Sequence, residues 1–232
     1  ADGKHVATSD ESPLVRIWSA ESRRQLTLLQ DHGRVDALAW SPDGTRLACG
    51  YTDSPAIRIW KVPGLKQPGA TLTHQTPALQ SPVTALAWSR DGKYLATGSN
   101  DRIARVWYAK TRSEVDDKPA ELVELARLPH DDNLKGVSWD PDGRLLATGG
   151  GLDHWVRVWD AGAGEGLRLA HDGTIEAVAA SADGQLVALA SKDGREHIVH
   201  MWDVKSGREL FRVKEDDRVQ ALALSSDAQL LA

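Results

Sequence analysis

What this chain of 232 residues has little of narrows its class before any motif is read. Cys49 is its only cysteine, which leaves no partner for an intrachain disulfide and no metal site of the paired-cysteine type. A reducing, cytoplasmic setting fits that usage. No apolar run approaches the roughly 18 to 20 residues of a membrane-spanning helix, and the opening Ala1-Asp-Gly-Lys-His carries no signal-peptide core. Basic residues do not predominate: 28 Lys and Arg against 33 Asp and Glu give a formal charge of -5, so no electrostatic footprint for sequence-independent nucleic-acid binding is present. A helical period over eleven residues is also missing; the nearest approach, Ala120 to Arg127, reads as a strand from its place in the chain.

What is there is repetition. Asp-Gly pairs fall at Asp2-Gly3, Asp43-Gly44, Asp91-Gly92, Asp142-Gly143 and Asp183-Gly184, with Asp227-Ala228 as a weaker sixth copy, and each is followed by an apolar strand of the Leu-Ala-Thr-Gly type. Nine Trp stand against one Phe and three Tyr, and five of them, Trp18, Trp60, Trp107, Trp159 and Trp202, close successive units at spacings of 42, 47, 52 and 43. Segments such as Val35-Asp-Ala-Leu-Ala-Trp40, Val83-Thr-Ala-Leu-Ala-Trp88 and Val219-Gln-Ala-Leu-Ala-Leu224 alternate with the period of two that a strand requires. Units begin near residues 1, 43, 91, 142 and 183, with a partial sixth at 227. The longer spacings hold two insertions, a proline-bearing stretch between Trp60 and Trp88 and the charged Lys110 to Lys118, after each of which the repeat resumes in phase.

A period of 40 to 45 residues with four strands per unit is the mark of propeller blades. Ser41-Pro-Asp-Gly44, Leu95-Ala-Thr-Gly-Ser-Asn-Asp101, Arg105-Val-Trp107, Trp159-Asp160, Trp202-Asp203 and His32 ahead of Val35 together resemble the WD-repeat β-propeller family, over the whole chain. The resemblance implies an all-β propeller of four-stranded antiparallel blades. This chain holds five repeat units, and because the family usually closes with about seven, the expectation is a slice of a larger ring; a self-contained five-blade ring, with Arg218 to Ser225 beside Val6 to Ser9, is the competing geometry.

The resemblance also implies a buried relay that pins each blade: a His before the first strand, a Ser or Thr on the second, an Asp in the turn before the third, and the Trp. A buried indole N–H needs an acceptor, and a buried carboxylate is tolerable only with several donors, so the logic is physical as well. His130, Thr148, Asp153 and Trp159 form the complete set. Thr97, Asp101 and Trp107 lack a well-placed His, since His74 lies nine residues before Val83. Cys49 replaces the hydroxyl beside His32, Asp53 and Trp60, and Leu189 replaces it beside His171, Asp193 and Trp202.

Recurrence at one phase assigns His32, His130 and His171 to structure; the other histidines share no ligand spacing, so no metal and no cofactor are expected. The Asp-Gly pairs are turns, Gly149-Gly-Gly151 and Ala161 to Gly166 lack the following helix that a phosphate-binding loop needs, and no Ser sits in a nucleophile elbow, so no enzymatic activity is expected. In the resembling family, partners dock where the first strands begin and the second-to-third strand turns emerge. By phase that rim presents Arg34, Asp36, Thr52, Pro82, Thr84, Asn100, Asn133, Lys135, Leu152, Thr174, Glu176, Lys192, Arg218 and Gln220. The expected function is a non-catalytic protein-protein interaction scaffold or sensor, part of a larger multidomain regulatory protein, with protein partners or attached effector domains of the same polypeptide and with neither nucleic acid nor membrane as target. The alternative is a five-blade propeller that binds or hydrolyses a small ligand or glycan.

Overall fold

The structure is a computed structural model that describes residues 3–30, 33–62, 70–73, 81–109, 122–140, 142–152, 154–160, 164–171, 173–181, 183–219 and 222–224. It contains nineteen strands among the described residues, in five antiparallel sheets that follow one another along the chain. The first sheet has three strands, β1 (His5–Ser9), β2 (Leu14–Ser19) and β3 (Gln25–Gln30). Four four-stranded sheets follow: β4 (Val35–Trp40), β5 (Arg46–Tyr51), β6 (Ala56–Lys61) and β7 (Ala70–Thr73); then β8 (Val83–Trp88), β9 (Tyr94–Ser99), β10 (Ile103–Ala109) and β11 (Leu122–Pro129). The last two are β12 (Leu134–Trp139), β13 (Leu145–Gly150), β14 (Trp155–Asp160) and β15 (Gly164–Ala170), and β16 (Thr174–Ala180), β17 (Leu186–Asp193), β18 (Glu196–Asp203) and β19 (Arg208–Glu215).

In the second to fifth sheets the Asp-Gly turns join first to second strand, so a unit counted from the turn straddles two sheets. Ser41, Ser89 and Ser181 each donate a hydroxyl to the turn carboxylate of Asp43, Asp91 and Asp183, which in turn accepts the backbone N–H of Thr45, Lys93 and Gln185 at 3.0 Å. The glycines that follow, Gly44, Gly92 and Gly184, adopt φ of 67 to 69°, a region that a side chain disfavours. In the fourth sheet Asp140 does the work of the serine, accepting the N–H groups of Arg144 and Leu145 at 2.8 Å.

The core is a series of slabs between consecutive sheets. Ala147, Val156, Val158 and Leu169 of the fourth sheet pack against Ile175, Val187, Leu189 and Trp202 of the fifth. Polar ties cross the same slabs: Thr84 donates to Leu134 O at 2.7 Å, the Trp139 indole N–H to Ala87 O at 3.2 Å, and Ala180 N–H to Ser138 Oγ at 3.1 Å. Arg46 lies over the Trp88 ring, 4.6 Å from its centroid. Val219 and Leu222 pack on the far face of the fifth sheet, against Ala177, Ala190 and Val199, where the first strand of a sixth sheet belongs. Among the described residues, the fifth sheet has no extensive contact with the first of the kind each sheet makes with its neighbour, which is consistent with an arc of a larger propeller.

Candidate interaction surface

Two positions in the repeat break the strand ladder, and they decide what each blade shows to solvent. In the first strand of sheets two to five, pairing with the second strand skips one residue: Asp36, Thr84, Lys135 and Glu176. A bulge of this kind re-aims a side chain and commonly flanks functional sites. All four residues lie at the end of the sheets where first strands begin. Asp36 and Lys135 are exposed and Thr84 partly so, whereas the Glu176 side chain is only 7% exposed.

The neighbouring rim residues are tied to those bulges through the backbone. Thr52 N–H donates to Arg34 O at 3.1 Å, Asn100 N–H to Pro82 O at 3.0 Å, and Gly151 N–H to Asn133 O at 2.7 Å, while Thr174 pairs with Lys192. The structure therefore brings Arg34, Thr52, Pro82, Asn100, Asn133, Thr174 and Lys192 to one end of the arc. Leu152, 64% exposed, has its N–H bound by Asp132 at 2.6 Å and presents an apolar side chain there. Arg34 approaches Glu11 at 3.9 Å. Glu176 is held between Arg218 at 2.9 Å and His197 at 3.2 Å. Gln220 lies outside the described residues. A cavity of about 170 Å³ lined by Gly33, Tyr51, Asp53, Ser54, Ala56 and Arg58 opens on the second sheet at this end. That volume is below the roughly 300 Å³ at which small-molecule sites begin.

The second irregularity is opposite the closing Trp. Pairing between third and fourth strands skips Leu26, Leu125, Gly166 and Leu210 in sheets one, three, four and five. The three leucines are consequently among the exposed large apolar residues. Repeat counting alone does not reveal either bulge.

Behind the rim, the predicted relay positions are arranged unevenly. In the fourth sheet the Trp159 indole N–H donates to Thr148 Oγ1 at 2.7 Å, and the same oxygen lies 2.7 Å from His130 Nε2. His130 Nδ1 faces Leu128 O at 3.1 Å, and a carbonyl only accepts, so Nδ1 carries the proton and the Thr148 hydroxyl donates to Nε2. In the third sheet Trp107 donates to Thr97 at 3.0 Å. The first sheet adds a pair that sequence reasoning missed, Trp18 to Thr8 at 2.9 Å. His32 and Asp153 lie outside the described residues, as does His74.

The three described aspartates of the relay set stand in different surroundings. The Asp101 side chain is buried and pairs with the buried Arg105 at 2.6 Å, with Glu124 3.5 Å from the same guanidinium. Asp53 is exposed beside the rim cavity. Asp193 is exposed because β17 and β18 extend until it pairs with Glu196, which carries it beyond the packed part of the sheet. In the second sheet, with Cys49 in place of a hydroxyl, the buried Trp60 N–H has no hydrogen-bond partner of normal geometry. Burial pushes the Cys49 thiol far above its usual range, which makes it a small core residue and not a nucleophile.

The residue two before each closing Trp is also periodic: Arg16, Arg58, Arg105, Arg157 and His200. Arg16 pairs with Asp10 at 2.6 Å, and Arg157 with Asp131 and Pro129 O. In the fifth sheet His171 is buried with its ring 6.2 Å from that of His154, and Trp202 stacks on His200, centroids 5.1 Å apart. His200 contacts Ser191 Oγ at 3.2 Å through Nε2 and Glu209 at 2.6 Å through Nδ1. The order Ser–His–Glu is that of a nucleophile, base and acid. Ser191 is 0% exposed and His200 2%, however, so no substrate reaches the hydroxyl and the chain of bonds holds the sheet. No cluster of three or more His, Cys, Asp or Glu suited to a metal ion occurs among the described residues.

Comparison with known proteins agrees with this architecture. The family model described as WD domain, G-beta repeat matches residues 23–61, 66–108 and 123–160. Similar curated proteins include Protein HIR1 of Yarrowia lipolytica, 30% identical over 203 residues, covering 83% of this chain and 17% of that protein. The Intraflagellar transport protein 80 homolog of Mus musculus is 27% identical over 88% of this chain and 25% of its own length. WD repeat-containing protein slp1 of Schizosaccharomyces pombe is 26% identical over 100% of this chain and 45% of its own length. The chain thus spans less than half of each of these relatives. A chain in the crystal structure of a mitotic checkpoint complex superposes with a TM-score of 0.83 at 26% identity, over 99% of this chain and 68% of that one. Five phased sheets and three matched repeats place the chain in the WD domain, G-beta repeat family of β-propellers.

Proposed function

We propose that the chain is a non-catalytic protein-interaction scaffold or sensor that forms part of a larger regulatory protein in the cytoplasm. Its partner, another protein or an effector domain of the same polypeptide, docks on the rim built from the first-strand starts and the second-to-third strand turns. The observation that carries this reading is the repeated bulge at Asp36, Thr84, Lys135 and Glu176, which aims one side chain per blade at the same end of the arc. The rim mixes Arg34, Lys135 and Lys192 with Asp36 and Glu176, and that balance suits a protein surface better than nucleic acid or an anionic membrane. The cavity beside Asp53 and Arg58 has room for one partner side chain, and Leu152 offers an apolar anchor. A solved neighbour belongs to a mitotic checkpoint complex, and docking within an assembly is what this reading expects of the present chain as well.

The test is co-purification with Arg34→Glu/Lys135→Glu against wild type. Both side chains are exposed, so the variant should unfold at the same temperature yet lose the partners that wild type retains. Retention of every partner by a folded double variant refutes the rim assignment.

A further inference from the structure

The outer strand of a blade leaves a row of backbone N–H and C=O groups facing solvent, and such edges accept another strand unless they are blunted. In β19, the outermost strand of the fifth sheet, all eight residues are exposed, with Leu210, Phe211 and Val213 at 51, 39 and 45%. The outer strands of the first three sheets are less inviting. The strand β7 has four residues, β11 engages Glu124 with both Arg105 and Arg127 and ends at Pro129, and β3 carries no charge to set a register.

The bulge makes β19 complementary to itself. Phe211 pairs with Met201 but Glu209 with Trp202, so Leu210 is the extra residue. Arg208, Phe211, Val213 and Glu215 therefore share one face, and Glu209, Arg212 and Lys214 the other. Lay a second copy antiparallel about a two-fold axis through Arg212, perpendicular to the sheet. Val213 of each copy then meets Phe211 of the other, Lys214 meets Glu209, and Glu215 meets Arg208, every pair on a common face. Without the extra residue Lys214 would meet Leu210 and Glu215 would meet Glu209. Directly opposed unlike charges and apolar pairs favour a register, and like charges oppose it. The single like pair, Arg212 with itself on the axis, is set against four unlike pairs and two Val–Phe pairs. Existing contacts do not forbid this: Glu209 engages His200 through one oxygen only, and the Lys214–Glu196 pair is more than half exposed at both ends.

We propose that two copies of this chain pair through β19, continuing the fifth sheet into a two-fold symmetric sheet of eight strands. The edge belongs to the fourth strand of the sheet, whereas the rim residues lie on its first and second strands and their turns, so this inference and the partner-docking one are tested by different substitutions and stand or fall separately.

Light scattering coupled to size exclusion across a concentration series tests it on the 232-residue chain. Wild type should shift from monomer to dimer mass. Glu215→Arg, which sets two arginines against each other at both ends, should remain monomeric with unchanged thermal unfolding, and the Arg208→Glu/Glu215→Arg swap should recover the dimer. Arg212→Cys places a thiol on the axis, where directly opposed Cα atoms about 4.5 to 5.5 Å apart fall within disulfide reach; mild oxidation should give a covalent dimer, with Cys49 buried and inert. Monomer mass throughout, a dimer indifferent to Glu215→Arg, failure of the swap to rescue, or no cross-link through residue 212 each overturns the proposal.

Discussion

Thr148 Oγ1 accepts the indole N–H of Trp159 at 2.7 Å while lying 2.7 Å from His130 Nε2, so one hydroxyl serves two buried aromatic groups in the fourth sheet. Thr148→Val keeps the shape and removes both bonds. An unsatisfied buried donor costs about 1 to 3 kcal/mol. Chemical denaturation should show a loss in that range, with binding of partners by the remaining folded protein unaltered.

The second sheet offers the reverse experiment. Cys49 occupies the phase of Thr8, Thr97 and Thr148, so the Trp60 N–H meets a weakly accepting thiol where its counterparts bond a hydroxyl. Cys49→Thr supplies that hydroxyl at nearly constant volume. A gain of about 0.5 to 1.5 kcal/mol is expected, the usual net worth of an added hydrogen bond; a loss on denaturation would mean the thiol is the better-packed group.

Arg105 is 0% exposed and its partner Asp101 3%. Arg105→Met should cost about 3 to 5 kcal/mol, because it strands a buried carboxylate. Asp101→Asn/Arg105→Met should recover a large part of that, since the amide oxygen can still accept the Ile103 N–H that Asp101 accepts at 3.0 Å. Additive losses in the double variant would show that the pair acts through packing alone.

Acid should destabilise the fold through its turns. The Ser181 hydroxyl and Gln185 N–H hold the Asp183 carboxyl below its usual 3.8. At Asp43 and Asp91 burial pushes upward, but the Ser41 and Ser89 hydroxyls and the Thr45 and Lys93 N–H groups outweigh it. Asp10 is pulled to about 2 by Ser12 and Arg16. A carboxyl with a lower pKa folded than unfolded contributes stability above the unfolded value and loses it as pH falls through the folded one. Thermal unfolding midpoints should therefore drop between pH 4 and about 2, and Ser41→Ala/Ser89→Ala/Ser181→Ala should flatten that drop.

Much of this was legible in the sequence, because a repeat samples each structural position several times. The period, the strands and the Trp positions follow from spacing, and Leu122–Pro129 forms the strand expected in spite of its weak helical look. The relay chemistry was legible only in part. A hydroxyl beside a Trp is a two-residue relationship on adjacent strands, and it appears wherever Thr occupies that phase. A turn Asp depends on hairpin length, and two added residues in the fifth sheet carry Asp193 into solvent. The paired arginines stood in the sequence as an alternation of Val and Arg, but alternation does not say which carboxylate will meet them. The bulges left no sequence trace, since a skipped residue looks like any other until the ladder is drawn, and they are what turns Asp36, Thr84, Lys135 and Glu176 toward the rim.

Site-specific photo-crosslinking distinguishes the two ends of the arc most directly. A photoreactive residue placed in turn at Asp36, Thr84 and Lys135 on the rim, and at Thr45, Lys93 and Gln185 in the hairpins of the opposite end, reports which end meets partner protein. Cross-links from the first three positions and none from the second three are predicted; cross-links from the hairpin positions with a silent rim would contradict the account.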